Sequence, residues 1–247
     1  MKISFCTTCM DRLIHLQEGY LQSIKNTDSY ENREFILLNY NSKDLLDEWV
    51  EEKLSIFIEN KLVKYYKTNE PKNFIASHAK NIAYKLATGD LIVNLDADNI
   101  LVDNYCENLI ELFKEDNIIV ASKPTDRNGN SGSCGMIICK KEHFYSVNGY
   151  DENIYIGWGM DDTNFQFRCR MKNNLKLVGL DNNYNYCIPH SNEMRTKNFL
   201  HKNIEITNEI SKKITTISYL NKEFVANKGK HWGKATLLEN FQKTINI

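Results

Sequence analysis

Two groups of acidic residues have a spacing that could support chemistry. Asp96 and Asp98 flank Ala97 directly after an apolar run. Both carboxylates can offer hard oxygen ligands to a divalent cation while the backbone between them lies against a ligand. Such a site suits a diphosphate. Asp-x-Asp also occurs often by chance, so the alternative is that the two side chains only cap a turn.

The second acidic pair follows a glycine-containing turn. Asp161 and Asp162 come after Gly157-Trp158-Gly159-Met160, where glycine allows close backbone approach and the indole offers a flat face for a sugar ring. A carboxylate beside this face can accept the proton of an acceptor hydroxyl as a general base. The alternative is that the pair caps a helix N-terminus and interacts with the helix dipole, and the two roles can coexist.

Histidine and cysteine provide further candidates. His190 lies in the run Cys187-Ile188-Pro189-His190-Ser191, and a lone histidine is more often structural than a ligand. Any metal site must therefore be assembled from distant segments. Cys6-Thr7-Thr8-Cys9 is a C-x-x-C sequence, which raises the alternative of a thiol-disulfide oxidoreductase. A redox pair should open a helix, whereas we expect Cys6 inside the first strand and Cys9 in the loop after it.

Apolar runs and helical spacings predict the elements that position these residues. Strands are predicted at residues 3–7, 35–38, 62–66, 91–95, 136–139 and 184–186, with helical stripes at 13–24, 45–50, 79–86, after 161 and within 206–214. Strands that alternate with helices indicate a largely parallel sheet, whose ligands bind beyond the carboxyl ends of its strands. The segment Arg127–Gly135 is predicted to be a mobile loop that orders when a ligand binds, and the end of the chain a basic tail.

The composition excludes several classes of protein. The chain has 247 residues, 42% of them hydrophobic and 26% charged, which is typical of globular domains and not of disorder. A formal charge of −1 leaves no general cationic field for nucleic acid. An apolar run of about 18 residues and a secretory signal are both lacking, and the seven cysteines are scattered. We therefore expect a cytoplasmic protein without a transmembrane segment; peripheral contact with a membrane stays open.

An ordered set of motifs resembles the GT-A glycosyltransferases of the family 2 type. Within them it is similar to the β-1,4-galactosyltransferase type and to bacterial transferases of capsule and chondroitin-like polymers. The motifs are Arg12-x-x-His15-Leu16, Leu95-Asp96-Ala97-Asp98, Cys134-Gly135-Met136, Asn148-Gly149-Tyr150, Gly157-Trp158-Gly159-Met160-Asp161-Asp162 and His190-Ser191. Each motif alone is weak, but together they follow the family's order over roughly residues 1 to 195.

The resemblance implies an α/β fold of the GT-A, Rossmann-like kind, with a mixed, mostly parallel sheet flanked by helices. It implies a single domain over residues 1–195, with a nucleotide-binding half at 1–99 and an acceptor and metal half at 100–195. Residues 196–247 would form a C-terminal helical extension packed on the same domain.

The activity implied by the resemblance is a metal-dependent, inverting sugar transfer in polysaccharide biosynthesis. The donor would be a UDP-hexose or UDP-N-acetylhexosamine, the acceptor a hydroxyl of a glycan or glycolipid, and the cofactor Mn²⁺ or another divalent cation. By matching position, the nucleotide-binding residues would be Thr8, Cys9, Arg12, His78, Asp96 and Ala97. The donor or acceptor contacts would be Gly135, Trp158 and Asp161, and Asp162 would be the general base. The metal ligands would be Asp98, His190 and Cys187.

Departures from the family pattern leave specific points open. Met160 and Asp161 replace a glycine and a glutamate, which affects acceptor identity, and Thr8-Cys9 replaces a proline-aromatic pair, which affects the nucleobase. Cys187 stands where the β-1,4-galactosyltransferase type has a thioether ligand. A thiolate would favour manganese, cobalt or zinc over magnesium, whereas the alternative is a small buried side chain that packs elsewhere.

Two other functions remain as alternatives to the transferase. Glycoside hydrolysis also uses paired carboxylates, but it brings the acid and the base to opposite faces of the scissile bond. A catalytically silent module would bind a nucleotide sugar without turning it over.

Overall fold

The computed structural model describes residues 1–122, 135–154, 157–180 and 184–247, which form eleven strands and nine helices. Of the predicted loop Arg127–Gly135, residues 127–134, with Cys134, lie outside the described residues. The strands are β1 Ile3–Cys9, β2 Arg33–Tyr40, β3 Val63–Thr68, β4 Leu91–Asn94, β5 Asn99–Leu101, β6 Ile118–Ser122, β7 Met136–Lys140, β8 Lys176–Leu180, β9 Asn185–Cys187, β10 Thr236–Glu239 and β11 Lys243–Asn246. The helices are α1 Leu13–Asn26, α2 Leu46–Lys53, α3 Ser55–Glu59, α4 Ala76–Leu86, α5 Tyr105–Leu112, α6 Lys141–Ser146, α7 Asp161–Asn173, α8 Asn192–Thr196 and α9 Ile204–Leu220.

A mixed sheet runs through the centre of the molecule in the order β11-β10-β3-β2-β1-β4-β7-β6-β8. Its central strands β3, β2, β1 and β4 are parallel, and β7 is antiparallel to both β4 and β6. Strand β2 is buried on both faces and contains a continuous apolar run, Phe35-Ile36-Leu37-Leu38, whereas β1 is equally buried but alternates apolar residues with Ser4 and Thr7. The predicted α/β fold with a mixed sheet flanked by helices is confirmed.

Each face of this sheet carries its own apolar layer. Phe5 and Leu37 point to the side covered by α1 and α2, where Trp49 joins the cluster. On the opposite side, Ile36 packs with residues of α4, α6 and α7 such as Phe165. The period-2 alternation of side chains along each strand divides the core in this way.

A small second sheet joins two segments that are far apart in the sequence. Strand β5, which follows Asp98, pairs antiparallel with β9, and Asn99 lies opposite Cys187. The amide of Ile188 donates a hydrogen bond of 2.7 Å to the carbonyl oxygen of Asp98. This pairing places the chain before His190 directly against the Asp-x-Asp segment.

The C-terminal part of the chain differs from the prediction of helices and a basic tail. Beyond α9, strands β10 and β11 form a hairpin that extends the main sheet at β3. Asn240 and Phe241 both adopt positive φ in its turn, and the Phe241 ring packs 4.9 Å from that of Tyr65. Positive φ without glycine gives no turn signal in the sequence, so tertiary packing stabilises a hairpin that the pattern does not predict.

One further difference concerns the first strand: it continues to Cys9 instead of ending before Thr8. Cys9 therefore lies in the strand and not in the following loop.

Among the helices in the described ranges, none is long and apolar enough to cross a membrane.

A fully buried arginine connects α7 to the loop after α6. Arg168 donates hydrogen bonds to the carbonyl oxygens of Val147 and Gly149, at 3.0 and 2.8 Å, and to Asn164 at 2.7 Å. Since these carbonyls belong to the segment that leads into Tyr150, the arginine fixes the path of that segment.

We predict that Arg168→Met lowers the free energy of unfolding by about 3 kcal/mol, because it leaves buried carbonyl groups without donors. Lys172→Met, an exposed change on the same helix, should alter stability by less than about 0.5 kcal/mol. Urea unfolding followed by circular dichroism measures both. Equal stabilities for the two variants would contradict the role given to Arg168.

Candidate active site

A cavity of about 320 Å³ opens at the carboxyl ends of β1 and β4, beside β9. Its described walls carry four carboxylates and three cationic side chains. These are Asp96, Asp98, Asp161 and Asp162, with Arg12, Lys80 and Arg195. Most of the residues predicted for the site line it together: Thr8, Arg12, Asp96, Ala97, Asp98, Gly135, Trp158, Asp161, Asp162, Cys187 and His190.

Asp98 and His190 meet across the cavity wall. The Oδ2 atom of Asp98 lies 2.6 Å from Nε2 of His190. Burial raises the pKa of Asp98, but the hydrogen bond and charge of His190 outweigh it and hold that pKa below its ordinary value. The ring of His15, also buried, packs edge-on against that of His190 with centroids 5.5 Å apart. His190 therefore has a fixed position facing the Asp-x-Asp segment.

The donor set around Asp98 fits a divalent cation that shares its coordination with a substrate. A carboxylate oxygen and an imidazole nitrogen face each other, and Cys187 lies in the same wall. Among the described residues, however, no three side chains of His, Cys, Asp or Glu gather into a cluster that could hold a metal by itself. A cation here would need further oxygens from substrate or water.

Asp96 occupies a tight corner of the cavity. Its Oδ1 accepts a hydrogen bond of 2.8 Å from Asn94, whose amide also donates to the carbonyl oxygen of Gly135 at 2.9 Å. A Cβ on Gly135 would lie 2.5 Å from Oδ2 of Asp96. A side chain at position 135 would therefore displace the carboxylate of Asp96, while that of Asp162, at 3.7 Å, would be in ordinary contact.

Lys80 links the two carboxylates at the start of α7. Its ammonium group donates to Oδ2 of Asp161 at 2.8 Å and to Oδ1 of Asp162 at 2.7 Å. Lys80 is buried, and the hydroxyl of Tyr150 donates to the same Asp162 oxygen at 3.1 Å. One cation thus holds both acidic side chains on one side of the cavity, unlike the opposed carboxylates of a glycoside hydrolase.

The environment of Asp162 favours a proton on its carboxyl group. Burial raises its pKa well above the ordinary range, the neighbouring charge of Asp161 raises it further, and the charge of Lys80 opposes both effects. For Lys80, burial acts to lower the pKa, but Asp161 and Asp162 raise it above its ordinary value. The lysine is therefore charged, and its charge keeps Asp162 able to exist as a carboxylate.

The helix-cap alternative for these aspartates is weakened by the same geometry. The N-cap residue of α7 is Met160, and this cap has no side-chain hydrogen bond. Asp161 and Asp162 still lie in the first turn, where the helix dipole favours negative charge. Their side-chain bonds, however, go to Lys80 and Tyr150.

The turn before α7 is packed against α9. A Cβ on Gly157 would lie 2.5 Å from Cγ2 of Thr207, and Gly159 adopts a φ of +126° beside Asn208. Thr207 also donates a hydrogen bond of 2.8 Å to the carbonyl oxygen of Trp158. Glycine is needed at both positions, and α9 fixes the backbone that presents Trp158 to the cavity.

Two predicted nucleotide-binding residues lie outside the described lining of the cavity. Cys9 is fully buried in β1, and burial raises its pKa to about 12. The ring of His78 is bracketed by the hydroxyl of Tyr40, at 2.6 Å, and the carbonyl oxygen of Lys234, at 3.0 Å. The structure thus gives both side chains packing partners in place of a cavity position.

The C-x-x-C alternative finds no support in this geometry. Cys6 and Cys9 both lie in β1 and both are buried. Burial also raises the pKa of Cys6 well above its ordinary value. A redox-active thiol needs a lowered pKa and partial exposure, which is the opposite environment.

Sequence reasoning missed several residues that line the cavity. Lys80 is the most informative of them. Its neighbours in α4 include His78, Asn81 and Lys85, so the sequence alone does not distinguish it as the lysine that reaches the cavity. Arg195 lies with its guanidinium carbon 5.3 Å from the centroid of the Trp158 ring. Phe74 and Phe199 form an edge-on pair at the other end of the cavity, with centroids 5.5 Å apart. No motif signals these three residues.

Comparisons with solved structures place the fold among known transferases. TarS 1–349 from S. aureus, in complex with UDP, matches with a TM-score of 0.62 and 15% sequence identity, over 78% of this chain and 62% of that chain. The mannosyltransferase PcManGT from Pyrobaculum calidifontis, in complex with GDP-Man and Mn²⁺, matches with a TM-score of 0.60 and 15% sequence identity. The match covers 76% of this chain and 56% of that chain. The catalytic domain of Drosophila β1,4-galactosyltransferase 7, in complex with xylobiose, matches with a TM-score of 0.57 and 14% sequence identity. The match covers 87% of this chain and 79% of that chain. The TM-scores show a shared fold, and at identities this low the likeness shows the fold alone.

The family assignment comes from the sequence itself. This chain spans less than two thirds of the length of TarS 1–349, and no curated protein matches it. Residues 15–176, about two thirds of the chain, match the model for glycosyl transferase family 2. This range includes the Asp-x-Asp segment, Lys80 and the Gly157–Asp162 turn. The chain belongs to glycosyl transferase family 2 and has the GT-A fold.

Proposed function

We propose that the protein is a metal-dependent, inverting glycosyltransferase that moves a sugar from a nucleotide-diphosphate donor to a hydroxyl of a glycan or glycolipid. The observation that carries this proposal is the buried Asp161-Lys80-Asp162 group, which shares one cavity with Trp158 and the Asp98–His190 pair. A general base, a sugar-stacking face and an anion-neutralising site then lie within reach of one substrate.

The nucleotide is proposed to bind along the end of β1 and the Asp-x-Asp segment. Thr8, Arg12, Asp96 and Ala97 line that part of the cavity, with Phe74 as an aromatic surface for a base. UDP is the preferred nucleotide because of the likeness to the TarS complex with UDP, although PcManGT holds GDP-Man. Residues 1–99 would then form the nucleotide-binding half, as the resemblance implies.

Asp162 is proposed to act as the general base in a single in-line displacement. Its carboxylate accepts the proton of the acceptor hydroxyl while the hydroxyl oxygen forms a bond to the anomeric carbon. The bond from that carbon to the diphosphate breaks at the same time, so configuration inverts and the nucleoside diphosphate leaves. Lys80 and Tyr150 hold the carboxylate in place through their hydrogen bonds.

The remaining residues are proposed to orient the two substrates. Trp158 stacks on a sugar ring, Asp161 contacts the acceptor, and Gly135 lets the donor approach Asp96 and Asp162 closely. Arg12 and Arg195 add positive charge on the same cavity for the diphosphate. An oligosaccharide acceptor agrees with the xylobiose bound by Drosophila β1,4-galactosyltransferase 7.

A divalent cation, Mn²⁺ by preference, would be held by Asp98 and His190, with Cys187 as a third predicted ligand. When bound, it supplies positive charge that neutralises the departing diphosphate. Support comes from the 2.6 Å contact of the two side chains and from Mn²⁺ in the PcManGT complex. Substrate oxygens would complete its coordination.

The general-base proposal predicts that Asp162→Asn reduces turnover by about two orders of magnitude or more, because the proton of the acceptor hydroxyl loses its acceptor. Donor affinity should stay nearly unchanged. Isothermal titration with UDP and Mn²⁺ measures affinity, and release of UDP in the presence of acceptor measures turnover. Screening nucleotide sugars for metal-dependent UDP release first identifies the donor.

Asp103→Asn serves as the matched control, since Asp103 is exposed and lies outside the cavity lining. If Asp162→Asn turned over the donor at the wild-type rate, the assignment of Asp162 as the general base would be wrong. UDP binding by the wild type without turnover of any donor would instead favour the silent nucleotide-sugar-binding module.

The charge of Lys80 predicts a shift in the pH dependence of the reaction. Asp162 must lose its proton to act as a base, and Lys80 lowers its pKa. In Lys80→Met the Asp162 pKa rises, so the acid limb of the kcat profile should move to higher pH by about one unit or more. Activity lost at neutral pH should return in part as the pH rises.

Lys80→Arg, which keeps the charge, is the conservative comparison and should leave the acid limb near its wild-type position. A purely structural role for Lys80 would lower kcat equally at all pH values. An unmoved limb in Lys80→Met would therefore overturn the electrostatic role.

The metal proposal predicts that His190→Ala raises the Mn²⁺ concentration for half-maximal turnover at least about tenfold, because one of two facing protein ligands is lost. Manganese titration of the UDP-bound protein by electron paramagnetic resonance provides a readout that is independent of activity. Unchanged Mn²⁺ affinity in His190→Ala would remove His190 from the ligand set.

For Cys187, replacement by serine distinguishes ligation from packing. If Cys187 is a ligand, Cys187→Ser should raise the same half-maximal concentration and shift the preference towards magnesium, a harder cation. Values equal to the wild type would contradict the ligand role and leave water or diphosphate oxygens in that position.

A further inference from the structure

The C-terminal helix α9 packs with its polar side inwards. The residues that it buries are small and hydroxylated: Thr207, Ser211, Thr215 and Ser218. Several of its large apolar residues are exposed instead, while Ile204 and Ile214 are half-buried. An ordinary surface helix of a globular protein shows the reverse arrangement, with its apolar stripe against the core.

Four of the exposed apolar residues form a stripe along the helix that Lys213 interrupts once. Ile206, Ile210, Ile217 and Leu220 are exposed by 57%, 40%, 56% and 70%. Their spacing of four, seven and three residues places them on one face over more than three turns. Lys213 occupies the position between Ile210 and Ile217 on this face and is exposed. We call these five residues the α9 stripe. Isolated exposed apolar residues are normal, but a stripe of them marks an interaction surface.

The C-terminal segment that contains the α9 stripe carries a net positive charge. Residues 196–247 contain nine lysines and four glutamates, a formal charge of +5, whereas the rest of the chain carries −6. Exposed lysines lie just before α9, in its middle and just after it, at Lys202, Lys212 and Lys222. Glu205 and Glu209 lie on the flank shared with Lys212, and Glu223 follows Lys222, so residues 201–223 carry four lysines, three glutamates and a formal charge of +1.

The position of Lys213 argues against a second copy of the chain as the partner. A symmetric antiparallel contact centred on the stripe would place Lys213 opposite its own copy, and a parallel contact in register would do the same. Two ammonium groups would then meet inside an apolar interface, which is costly. A lysine within a lipid-facing stripe can instead extend its ammonium group to the headgroups.

We propose that the α9 stripe docks the protein on an anionic lipid surface, with Ile206, Ile210, Ile217 and Leu220 among the acyl chains and the lysines at the headgroups. On the opposite side of α9, Thr207 contacts the Gly157–Gly159 turn. A bilayer bound to the stripe therefore lies about one helix diameter, ~10 Å, from the turn that carries Trp158. The binding itself does not depend on the activity proposed above.

Vesicle sedimentation with the full chain tests this surface. Wild-type protein should bind vesicles of phosphatidylcholine mixed with phosphatidylglycerol, bind vesicles of pure phosphatidylcholine much more weakly, and dissociate as salt rises. Ile210→Ser/Ile217→Ser should weaken binding at least about tenfold, because two buried apolar side chains are removed from the lipid contact. Lys212→Gln/Lys213→Gln should weaken it about tenfold.

Matched controls exist elsewhere on the surface. Leu45→Ser/Ile56→Ser removes two exposed apolar side chains, and Lys25→Gln/Lys61→Gln removes two exposed lysines, both away from α9. Both controls should bind anionic vesicles as the wild type does. Thermal unfolding at the wild-type Tm shows that each variant is folded.

Three results would overturn the proposal. They are failure of the wild type to bind anionic vesicles, equal binding to neutral and anionic vesicles, and equal loss of binding in the controls and the α9 variants. Sedimentation velocity tests the alternative partner, a second copy of the chain. If the wild type is a dimer and Ile210→Ser/Ile217→Ser converts it to a monomer, the stripe is a self-association surface and the lipid proposal is wrong.

Discussion

The candidate site depends on one buried cation. Two carboxylates side by side in a low-dielectric corner repel each other, and burial alone would keep Asp162 protonated. Lys80 makes the arrangement possible because its ammonium group bonds to both Asp161 and Asp162. The cost of burying the lysine is offset by the same two bonds, so removing any one of the three charges leaves the others poorly compensated. Helix α4 thereby acts on the chemistry at the start of α7, about eighty residues away in the sequence.

Two structural connections bring the remaining parts to this group. The pairing of β5 with β9 carries His190 to Asp98, and the contact of Thr207 and Asn208 with the Gly157–Gly159 turn fixes Trp158. Both connections use residues outside the central parallel strands. The main sheet therefore forms the wall of the cavity that carries the Asp-x-Asp segment. The β5–β9 sheet and helix α9 position the residues that form other walls.

Local patterns explain why part of this arrangement could be predicted. The central strands, the Asp96–Asp98 segment and the acidic start of α7 are encoded by neighbouring residues, since apolar runs and turn residues act over a few positions. The Lys80 contacts and the orientation of Arg195 over Trp158 are not local, because they depend on which helices pack together. The place of His78 after β3 predicts a nucleotide contact, and the structure adds two contacts that the sequence does not indicate, with the hydroxyl of Tyr40 and the carbonyl oxygen of Lys234. The β10–β11 hairpin has no glycine in its turn, so only its packing on Tyr65 reveals it.

The composition of α9 follows from the two surfaces that it contacts. Its inner side must approach a glycine turn closely, and small hydroxylated residues allow this while Thr207 satisfies the carbonyl group of Trp158. A large apolar residue at Thr207 would occupy the space that Gly157 leaves and would displace the turn. Four large apolar residues, Ile206, Ile210, Ile217 and Leu220, lie on another side of the helix, where they do not contribute to the core. Burying them against a partner would remove that apolar area from water without disturbing the close contact of the inner side with the glycine turn.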